Sequence, residues 1–285
     1  MKDQILNSNH SLDLLKALHI LTQDGKLNQD SRRKLKQVQH LFQFIEPILK
    51  KLSQNSELLS DSSQKINLID HGAGKSYLGF ILYDLYIRFQ DQNKYHLYSI
   101  ETRKDLIQRS QELAKKLNFN SMSFLNLSVS ESLQSKNIPE NIHIVTALHA
   151  CDTATDDAIH FGLKKNVPYI VVVPCCQAEV ATALKNVKNK LINQSIVEIF
   201  RHSLHTREFG SHLTNILRCL QLEAFGYKVT VTELVGFEHS MKNEIIIAEK
   251  VEKPRPRYAD KLSDLLHQFS IHDQLQHRFL LPDSN

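Results

Sequence analysis

The sequence lacks an apolar run long enough to cross a membrane as a helix anywhere in its 285 residues. The first seven residues also lack the long apolar core of a secretory signal. Cysteine is scarce: the four cysteines do not form the pattern of a disulfide framework. We therefore expect a cytoplasmic protein with reduced thiols and no membrane partner.

Composition places the chain among globular proteins, with 41% hydrophobic and 23% charged residues. The length allows one full domain with an appendage, or two small domains. A formal net charge of +4 and a pI near 8.7 make the chain mildly basic. That balance is compatible with a nucleic-acid partner but does not by itself indicate one.

Hydrophobic spacing divides the chain near residue 65. The preceding part has no strand signal and carries two apolar stripes at helical spacing, whereas the following part alternates short apolar runs with helical patterns. Such alternation predicts a mostly parallel sheet covered by helices on both faces. We expect strands near 66–70, 95–101, 122–127, 142–148 and 168–174, and helices near 75–90, 103–118, 153–165, 178–192 and 208–225.

The last two predicted strands follow Gly226. Residues 227–235 alternate as a strand, and residues 244–249 form a second one with no room for a helix between them, so the two must pair antiparallel. The predicted fold class is α/β, a Rossmann-like sheet of five parallel strands plus an antiparallel C-terminal hairpin, with an N-terminal helical extension. We expect a helical substrate or cap region at 1–62, the sheet domain at 63–252 and a basic tail at 253–285. The tail is expected to end in a short helix and to be either solvated or in contact with nucleic acid.

The most informative segment is the glycine turn that joins the first strand to its helix. Gly74-Lys-Ser resembles the end of a phosphate-binding P-loop, but that motif needs a glycine at position 69, where the chain has isoleucine. The alternative is an acid-Gly-x-Gly turn, with Asp70 at the strand tip and a short loop that passes beneath an adenosine-type ligand. An ordinary strand-to-helix connection is the third reading of the segment.

Because the carboxyl ends of parallel strands meet at one edge, the residues at these strand tips should line one pocket. Asp70 would hold an amino group of the ligand or order water, or would only cap the turn. Glu101 ends the second strand, where a carboxylate accepts hydrogen bonds from ribose hydroxyls. Arg103 would begin the next helix or neutralise the pocket, and the third tip would contact adenine. The predicted ligand contacts are Asp70, Gly72, Ala73, Gly74, Lys75, Glu101, Arg103, Ser128 and His149.

The fourth strand delivers His149, Cys151 and Asp152 to the same edge, which makes His149 and Asp152 the candidate catalytic residues. His149 could remove a proton from an oxygen or nitrogen acceptor, or could be a hydrogen-bonded structural group. Asp152 could equally cap the following helix.

Further candidates for acceptor contact come from the fifth strand tip and from two polar segments, 205–210 and 238–243, which we expect to be loops. These loops could close over the acceptor, or their polar side chains could only be solvated at the surface. Cys175 and Cys176, together with Cys151 and His149, have ligand types suited to zinc. Adjacent cysteines lack the Cys-x-x-Cys geometry and the chain has no second pair, so we predict no metal and interpret the cysteines as small apolar wall residues. The candidate substrate contacts are Cys175, Cys176, Gln177, Arg207, His239, Lys242 and Asn243.

Four motifs together resemble a known family: Asp-x-Gly-Ala-Gly-Lys-x-Tyr-Leu, Leu-His-Ala-Cys-Asp-Thr-Ala-Thr-Asp, Pro-Cys-Cys-Gln and Glu-His-Ser-x-Lys-Asn. They are similar to the class I methyltransferase domain shared by bacterial enzymes and the eukaryotic methyltransferase-like 25 and glutathione-S-transferase C-terminal-domain-containing proteins. The resemblance covers about residues 30–250. It implies a seven-strand methyltransferase sheet and S-adenosylmethionine as the methyl donor. His71 departs from the family pattern, since a small or polar residue is expected before the first glycine, and Ser76 stands where glycine is common.

The sequence therefore predicts an S-adenosylmethionine-dependent methyltransferase. A more distant likeness to a tRNA 2'-O-methyltransferase at the cysteine-rich strand tip makes RNA the first predicted acceptor, with Arg32, Arg33, Lys34 and Lys36 as its docking surface. A protein or small-molecule acceptor is the alternative. So is a module that binds the donor without turnover, whereas Ile69 disfavours a P-loop nucleotide hydrolase. The sequence makes no prediction of oligomeric state.

Overall fold

A computed structural model describes residues 11–22, 24–26, 29–55, 65–148, 153–174, 178–187, 195–234, 244–251 and 253–282. Its strands form one seven-stranded sheet in the order β3-β2-β1-β4-β5-β7-β6. The first five strands are parallel, and β7 runs antiparallel to both β5 and β6. The predicted fold class is thereby confirmed. The strands are β1 (Ile66–His71), β2 (Tyr95–Ile100), β3 (Met122–Leu125), β4 (Ile144–Leu148), β5 (Tyr169–Val173), β6 (Tyr227–Glu233) and β7 (Glu244–Lys250).

The centre of the sheet is buried on both faces, as continuous apolar sequence predicts for parallel strands. Every residue of β1 and of β5 is buried, whereas the edge strand β6 alternates between covered and exposed positions. The flanking helices are α1 (Leu12–Ala17), α2 (Gln29–Gln54), α3 (Tyr77–Leu85), α4 (Lys104–Lys116), α5 (Val129–Gln134), α6 (Thr153–Lys164), α7 (Glu179–Val187), α8 (Ser203–Ala224), α9 (Pro256–Gln268) and α10 (His272–Leu275). No helix among the described residues is long and apolar enough to cross a membrane.

The starts of helices α3 and α8 differ from the prediction in ways that affect the predicted site. Helix α3 begins at Tyr77, so Lys75 belongs to the turn, because Ser76 has a left-handed backbone (φ 53°) that an α-helix does not accept. Helix α8 begins at Ser203, and the segment 205–210 is therefore helical, so the predicted loop there is wrong. Small and polar residues such as Thr206 and Gly210 occupy the buried face of its first turns, which hides the apolar stripe in the sequence.

The C-terminal tail packs on the domain, which corrects the expectation of a solvated segment. One apolar cluster joins its buried side chains to those of α7 and α8. Charged and polar residues are interspersed with these apolar ones and obscure the stripe in the sequence. The buried apolar residues that it contributes are Leu262, Leu266, Phe269, Ile271, Leu275 and Phe279.

A buried ion pair joins α6 to α8 beneath this tail. The Arg218 guanidinium is fully buried and donates to both Asp156 carboxylate oxygens, over 2.6 and 2.8 Å. Arg278, from the tail, lies 3.4 Å from Asp156 and 3.0 Å from Glu179. Asp156 is thus the acidic centre that three parts of the chain share, and its charge compensates a guanidinium that water does not reach.

We expect Asp156→Ala to lower the free energy of unfolding by about 3–5 kcal/mol, because it leaves the Arg218 charge buried without its carboxylate. Urea denaturation followed by circular dichroism measures the change. Glu198→Ala is the matched control, since Glu198 pairs with Arg201 in solvent and such pairs contribute under about 1 kcal/mol. Equal losses in the two variants would contradict this account.

Candidate active site

The described tips of β1, β2 and β4 meet at one edge of the sheet and border a cavity of about 350 Å³. That volume lies in the range typical of small-molecule sites. Seven of the predicted ligand contacts line it together: Asp70, Gly72, Ala73, Gly74, Lys75, Glu101 and Arg103. The remaining walls are Gln37, Val38, Tyr77, Leu78, Leu106 and Leu148.

The glycine turn forms the floor of this cavity. Gly72 and Gly74 have left-handed backbones, with φ of 64° and 57°, which glycine adopts without steric cost. The Ala73 amide donates to the Ile100 carbonyl over 3.0 Å and holds the turn against β2. A Cβ atom placed on Gly74 would meet nothing within 4 Å, so the space beside the turn is open. The turn therefore offers an exposed backbone surface next to the cavity.

Glu101 ties this turn to the next helix. One of its carboxylate oxygens accepts the Gly74 amide over 2.9 Å, and the other accepts the Arg103 amide over 3.0 Å and the Thr102 hydroxyl over 3.2 Å. A carboxylate has about four lone-pair sites, so Glu101 retains capacity for a hydroxyl of a ligand. The residue can orient the turn and bind a ligand at once.

Asp70 places a buried carboxyl group at the tip of β1. It accepts the Thr146 hydroxyl over 2.8 Å, from the neighbouring strand. Burial raises the pKa of Asp70 to about 7, because the ionised form loses its hydration, and the Thr146 hydrogen bond opposes this only in part. A cation that enters the cavity would favour the ionised form. The site can therefore exchange a proton for a positively charged ligand near neutral pH.

His71 follows Asp70 on the strand and points to the other face of the sheet, as the period of two dictates. Its ring meets Phe161 edge-on, with centroids 4.7 Å apart, and the side chain is fully buried. Neither ring nitrogen has a hydrogen-bond partner in the described part of the chain, and burial lowers the pKa of His71 to about 3. The imidazole is therefore neutral. His71 is not part of the cavity wall. Its departure from the family pattern, next to the glycine turn, therefore does not place a histidine in the cavity.

Helix α2 supplies a wall that sequence reasoning missed. Gln37 and Val38 line the cavity, and Gln37 is only 4% exposed. The sequence signal for this wall is a polar residue, Gln37, within the apolar stripe of the helix. The N-terminal segment is fixed to the domain by the Tyr77 hydroxyl, which donates to the Leu18 carbonyl over 2.8 Å, and by a contact between Lys51 and Glu249 of β7.

Two other predicted contacts lie away from the cavity wall. Ser128 caps α5: its hydroxyl accepts the Glu131 amide over 3.2 Å, and its own amide donates to the Glu131 carboxylate over 2.7 Å. Arg207 lies on α8, pairs with Glu208 over 2.9 Å and borders a separate groove between α7 and α8. Eight further predicted site residues lie outside the described residues: His149, Asp152, Cys175, Cys176, Gln177, His239, Lys242 and Asn243. Their predicted roles stay predictions.

The sheet order, with an antiparallel seventh strand between β5 and β6, and the acid-Gly-x-Gly turn beside Glu101 define a Rossmann-like class I methyltransferase fold. The family described as "Methyltransferase domain" matches residues 33–183 of the chain. The protein therefore belongs to this methyltransferase-domain family. No curated protein matches the sequence significantly.

Solved structures with a similar fold are distant in sequence. An rRNA methylase from Streptococcus thermophilus is 8% identical, with 66% of this chain and 88% of that chain covered and a TM-score of 0.40. A Staphylococcus aureus protein provisionally assigned as a caffeoyl-CoA O-methyltransferase is 9% identical, with 85% and 93% covered and a TM-score of 0.45. Aeropyrum pernix fibrillarin, in complex with S-adenosyl-L-methionine, is 9% identical, with 65% and 67% covered and a TM-score of 0.39.

Family membership and sheet order confirm the predicted class I S-adenosylmethionine-dependent methyltransferase, with S-adenosylmethionine as its methyl donor. The cavity fits such a molecule in three respects: its volume, the acceptor capacity of Glu101 and the buried acid Asp70. The likeness to the narrower group that contains methyltransferase-like 25 stays a prediction.

We expect Asp70→Asn to stabilise the ligand-free protein at pH 8 and to have no such effect near pH 4. The folded pKa of about 7 exceeds the ordinary value of 3.8, so the fold favours the protonated carboxyl, and burying its ionised form costs free energy. That cost is absent at pH values below the ordinary pKa of 3.8, and it reaches its full size at pH values above the folded pKa of about 7. An uncharged asparagine avoids it, by a few kcal/mol at most.

Thermal unfolding of both proteins from pH 4 to pH 8 measures this difference. Asp260→Asn, at an exposed position on α9, is the control and should follow the wild type at every pH. If the thermal stability of Asp70→Asn and that of the wild type change with pH in the same way, Asp70 does not carry a raised pKa.

Proposed function

We propose that the protein methylates RNA, with S-adenosylmethionine held in the cavity at the glycine turn. The observation that carries this proposal is a group of exposed cations around the cavity, Lys36, Lys75, Arg103 and Arg109. Lys75 and Arg103 line the cavity itself. Lys36 precedes Gln37 on α2, and Arg109 borders a small adjoining pocket that shares Lys75 and Leu106 with the cavity.

These cations are available to a polyanion. Among the described residues no carboxylate forms an ion pair with Lys36, Lys75 or Arg109, and Arg103 makes only an exposed contact of 3.9 Å to Asp105. Exposed pairs of this kind contribute little free energy. A phosphate backbone is attracted to such a surface and gains affinity by releasing its own counterions. The sequence likeness to a tRNA 2'-O-methyltransferase supports the same acceptor class.

Within the cavity we assign roles by charge and donor capacity. The ionised Asp70 carboxylate would attract the donor's ammonium group, and the remaining lone pair of Glu101 would accept a ribose hydroxyl. When bound, the donor supplies a methyl group on a positively charged sulfur, which is already activated for displacement. The protein's contribution is then to exclude water and to align the acceptor. His149 remains the proposed base for an acceptor proton, with Asp152 three residues further along the chain.

Transfer of label from S-adenosylmethionine to fractionated cell material tests this function. RNA, protein and small-molecule fractions from a strain that lacks the gene serve as acceptors, and we expect label in RNA that ribonuclease removes. Label that appears only in protein or in small molecules would overturn the RNA proposal. Donor binding without transfer to any fraction would instead favour a module without turnover.

We expect the double variant Lys36→Glu and Arg109→Glu to weaken RNA binding severalfold and to reduce the salt dependence of the affinity. Each lost phosphate contact lowers the slope of log K against log salt by about 1. Fluorescence anisotropy with RNA at several salt concentrations measures both quantities, and calorimetry checks that donor affinity is retained.

Lys115→Glu and Lys116→Glu, at the far end of α4, make the matched control with the same change of charge. If this control weakens RNA binding as much as the first double variant does, the attraction comes from overall charge. The proposed docking surface at the cavity would then be wrong.

A further inference from the structure

We propose that the groove between α7 and α8 binds a second segment of the acceptor RNA, with a lysine and an arginine on its phosphates and histidine rings beside its bases. This inference rests on RNA being the acceptor. It extends the RNA surface from the donor cavity to a separate site on two other helices. The volume of the groove, about 350 Å³, equals that of the cavity at the glycine turn.

The walls of this α7–α8 groove are fixed by a close contact of the two helices. A Cβ atom on Gly210 would lie 2.7 Å from the Ala181 Cα atom, so the glycine is what lets the helices approach this closely. Beneath the contact, Val180, Leu184 and Leu213 are buried in the apolar cluster that joins α7, α8 and the tail. The groove is therefore preformed, and a ligand would lose little affinity to reorganisation of the protein.

Two cations line the groove, one from each helix. Lys185 lies on α7 and Arg207 on α8, and both side chains are exposed. Among the described residues Lys185 forms no ion pair, whereas Arg207 makes an exposed pair with Glu208, of a kind that contributes little free energy. None of the described residues that line the groove is acidic. The groove therefore attracts phosphate, and RNA gains affinity there by releasing its counterions.

Exposed side chains beside the groove are suited to contact with bases. Residues 201–205 are all exposed, and Leu204, which lines the groove, leaves 50% of its surface to solvent. The His202 and His205 rings of the same segment meet edge-on, with centroids 5.2 Å apart. Proteins bind single-stranded RNA by combining a cationic groove with rings on which bases stack. The cations and these rings together therefore favour RNA over a simple anion.

The groove begins near the sheet edge that carries the donor cavity. Ala178, one of its lining residues, closely follows the carboxyl end of β5. One strand, β4, lies between β5 and β1, so roughly 10 Å separates the carboxyl ends of β5 and β1. An extended RNA strand can thus contact the groove while one of its nucleotides lies at the cavity.

The double variant Lys185→Glu and Arg207→Glu tests the phosphate contacts. The probe is a labelled single-stranded RNA of about 12 nucleotides, a length within the usual range of such sites. We expect fluorescence anisotropy to show binding weakened at least about fivefold and the slope of log K against log salt lowered by about 1.4, since each phosphate contact on a single strand contributes about 0.7. Calorimetry should show an unchanged affinity for S-adenosylmethionine.

The double variant His202→Ala and His205→Ala tests the contacts with bases. We expect it to weaken binding of the same RNA at least about fivefold, which is the low end of the range measured for loss of a stacked base. Measured at pH 8, the salt slope should stay that of the wild type, because stacking releases no counterions. An unchanged affinity would show that the rings do not contact the RNA, and would overturn that part of the inference.

Methyl transfer distinguishes the groove from the reaction site. The charge variant should raise KM for RNA and retain kcat at saturating RNA, as expected for binding away from the reacting atoms. Lys115→Glu with Lys116→Glu again controls for overall charge, and an equal loss of RNA binding in this control would overturn the inference. Thermal unfolding checks the fold, and Lys185→Gln with Arg207→Gln replaces a charge-reversed variant that does not fold.

A further comparison separates this inference from the proposed function. If the Lys36→Glu and Arg109→Glu variant loses RNA affinity while the groove variants retain it, only the groove is wrong as an RNA site. A wild type that binds no RNA would overturn the proposed acceptor as well, and would leave the groove to a protein or to a free anion.

Discussion

The hydrogen bond from the Gly74 amide to the Glu101 carboxylate is the interaction on which the site depends. It fixes a turn whose two glycines have left-handed backbones, and it does so from the tip of the next strand. The same carboxylate accepts the amide that precedes α4. One acid thus sets the distance between the floor of the cavity and its side wall. Its remaining lone pair can accept a hydroxyl of a ligand, so a bound ligand would join a hydrogen-bond network that the fold already contains.

Adjacent residues of β1 show how a strand can serve two environments. Asp70 faces the cavity with a pKa near 7, and His71 faces the core as a neutral ring against Phe161. Burial opposes ionisation in both side chains, so it raises the pKa of the acid and lowers that of the base. Of these two residues only Asp70 lines the cavity, where a cationic ligand would favour its ionised form. Burial thus has only a structural consequence at His71, whereas at Asp70 the raised pKa can take part in ligand binding.

Local patterns were sufficient to predict the sheet and most of the cavity. The apolar runs of the strands, the glycine turn and the acid at position 101 depend on short-range chemistry that the sequence displays directly. The role of α2 could not be predicted in this way, because the position of Gln37 in the cavity wall depends on long-range packing. The start of α8 was missed because small residues such as Gly210 occupy its buried face. The tail was misjudged because its charges outnumber the apolar stripe that packs on α7 and α8.

The contact between Lys51 and Glu249 joins the end of α2 to the last strand of the sheet. About two hundred residues of chain separate the two partners, including every strand that borders the cavity. During synthesis on a ribosome, α2 emerges well before the strand that carries this anchor. The glycine turn and the Tyr77–Leu18 anchor can thus form early, whereas the Lys51–Glu249 contact can form only after β7 has left the exit tunnel. Translation therefore sets the order in which the two contacts of the N-terminal segment can form, and the one at the end of α2 comes later.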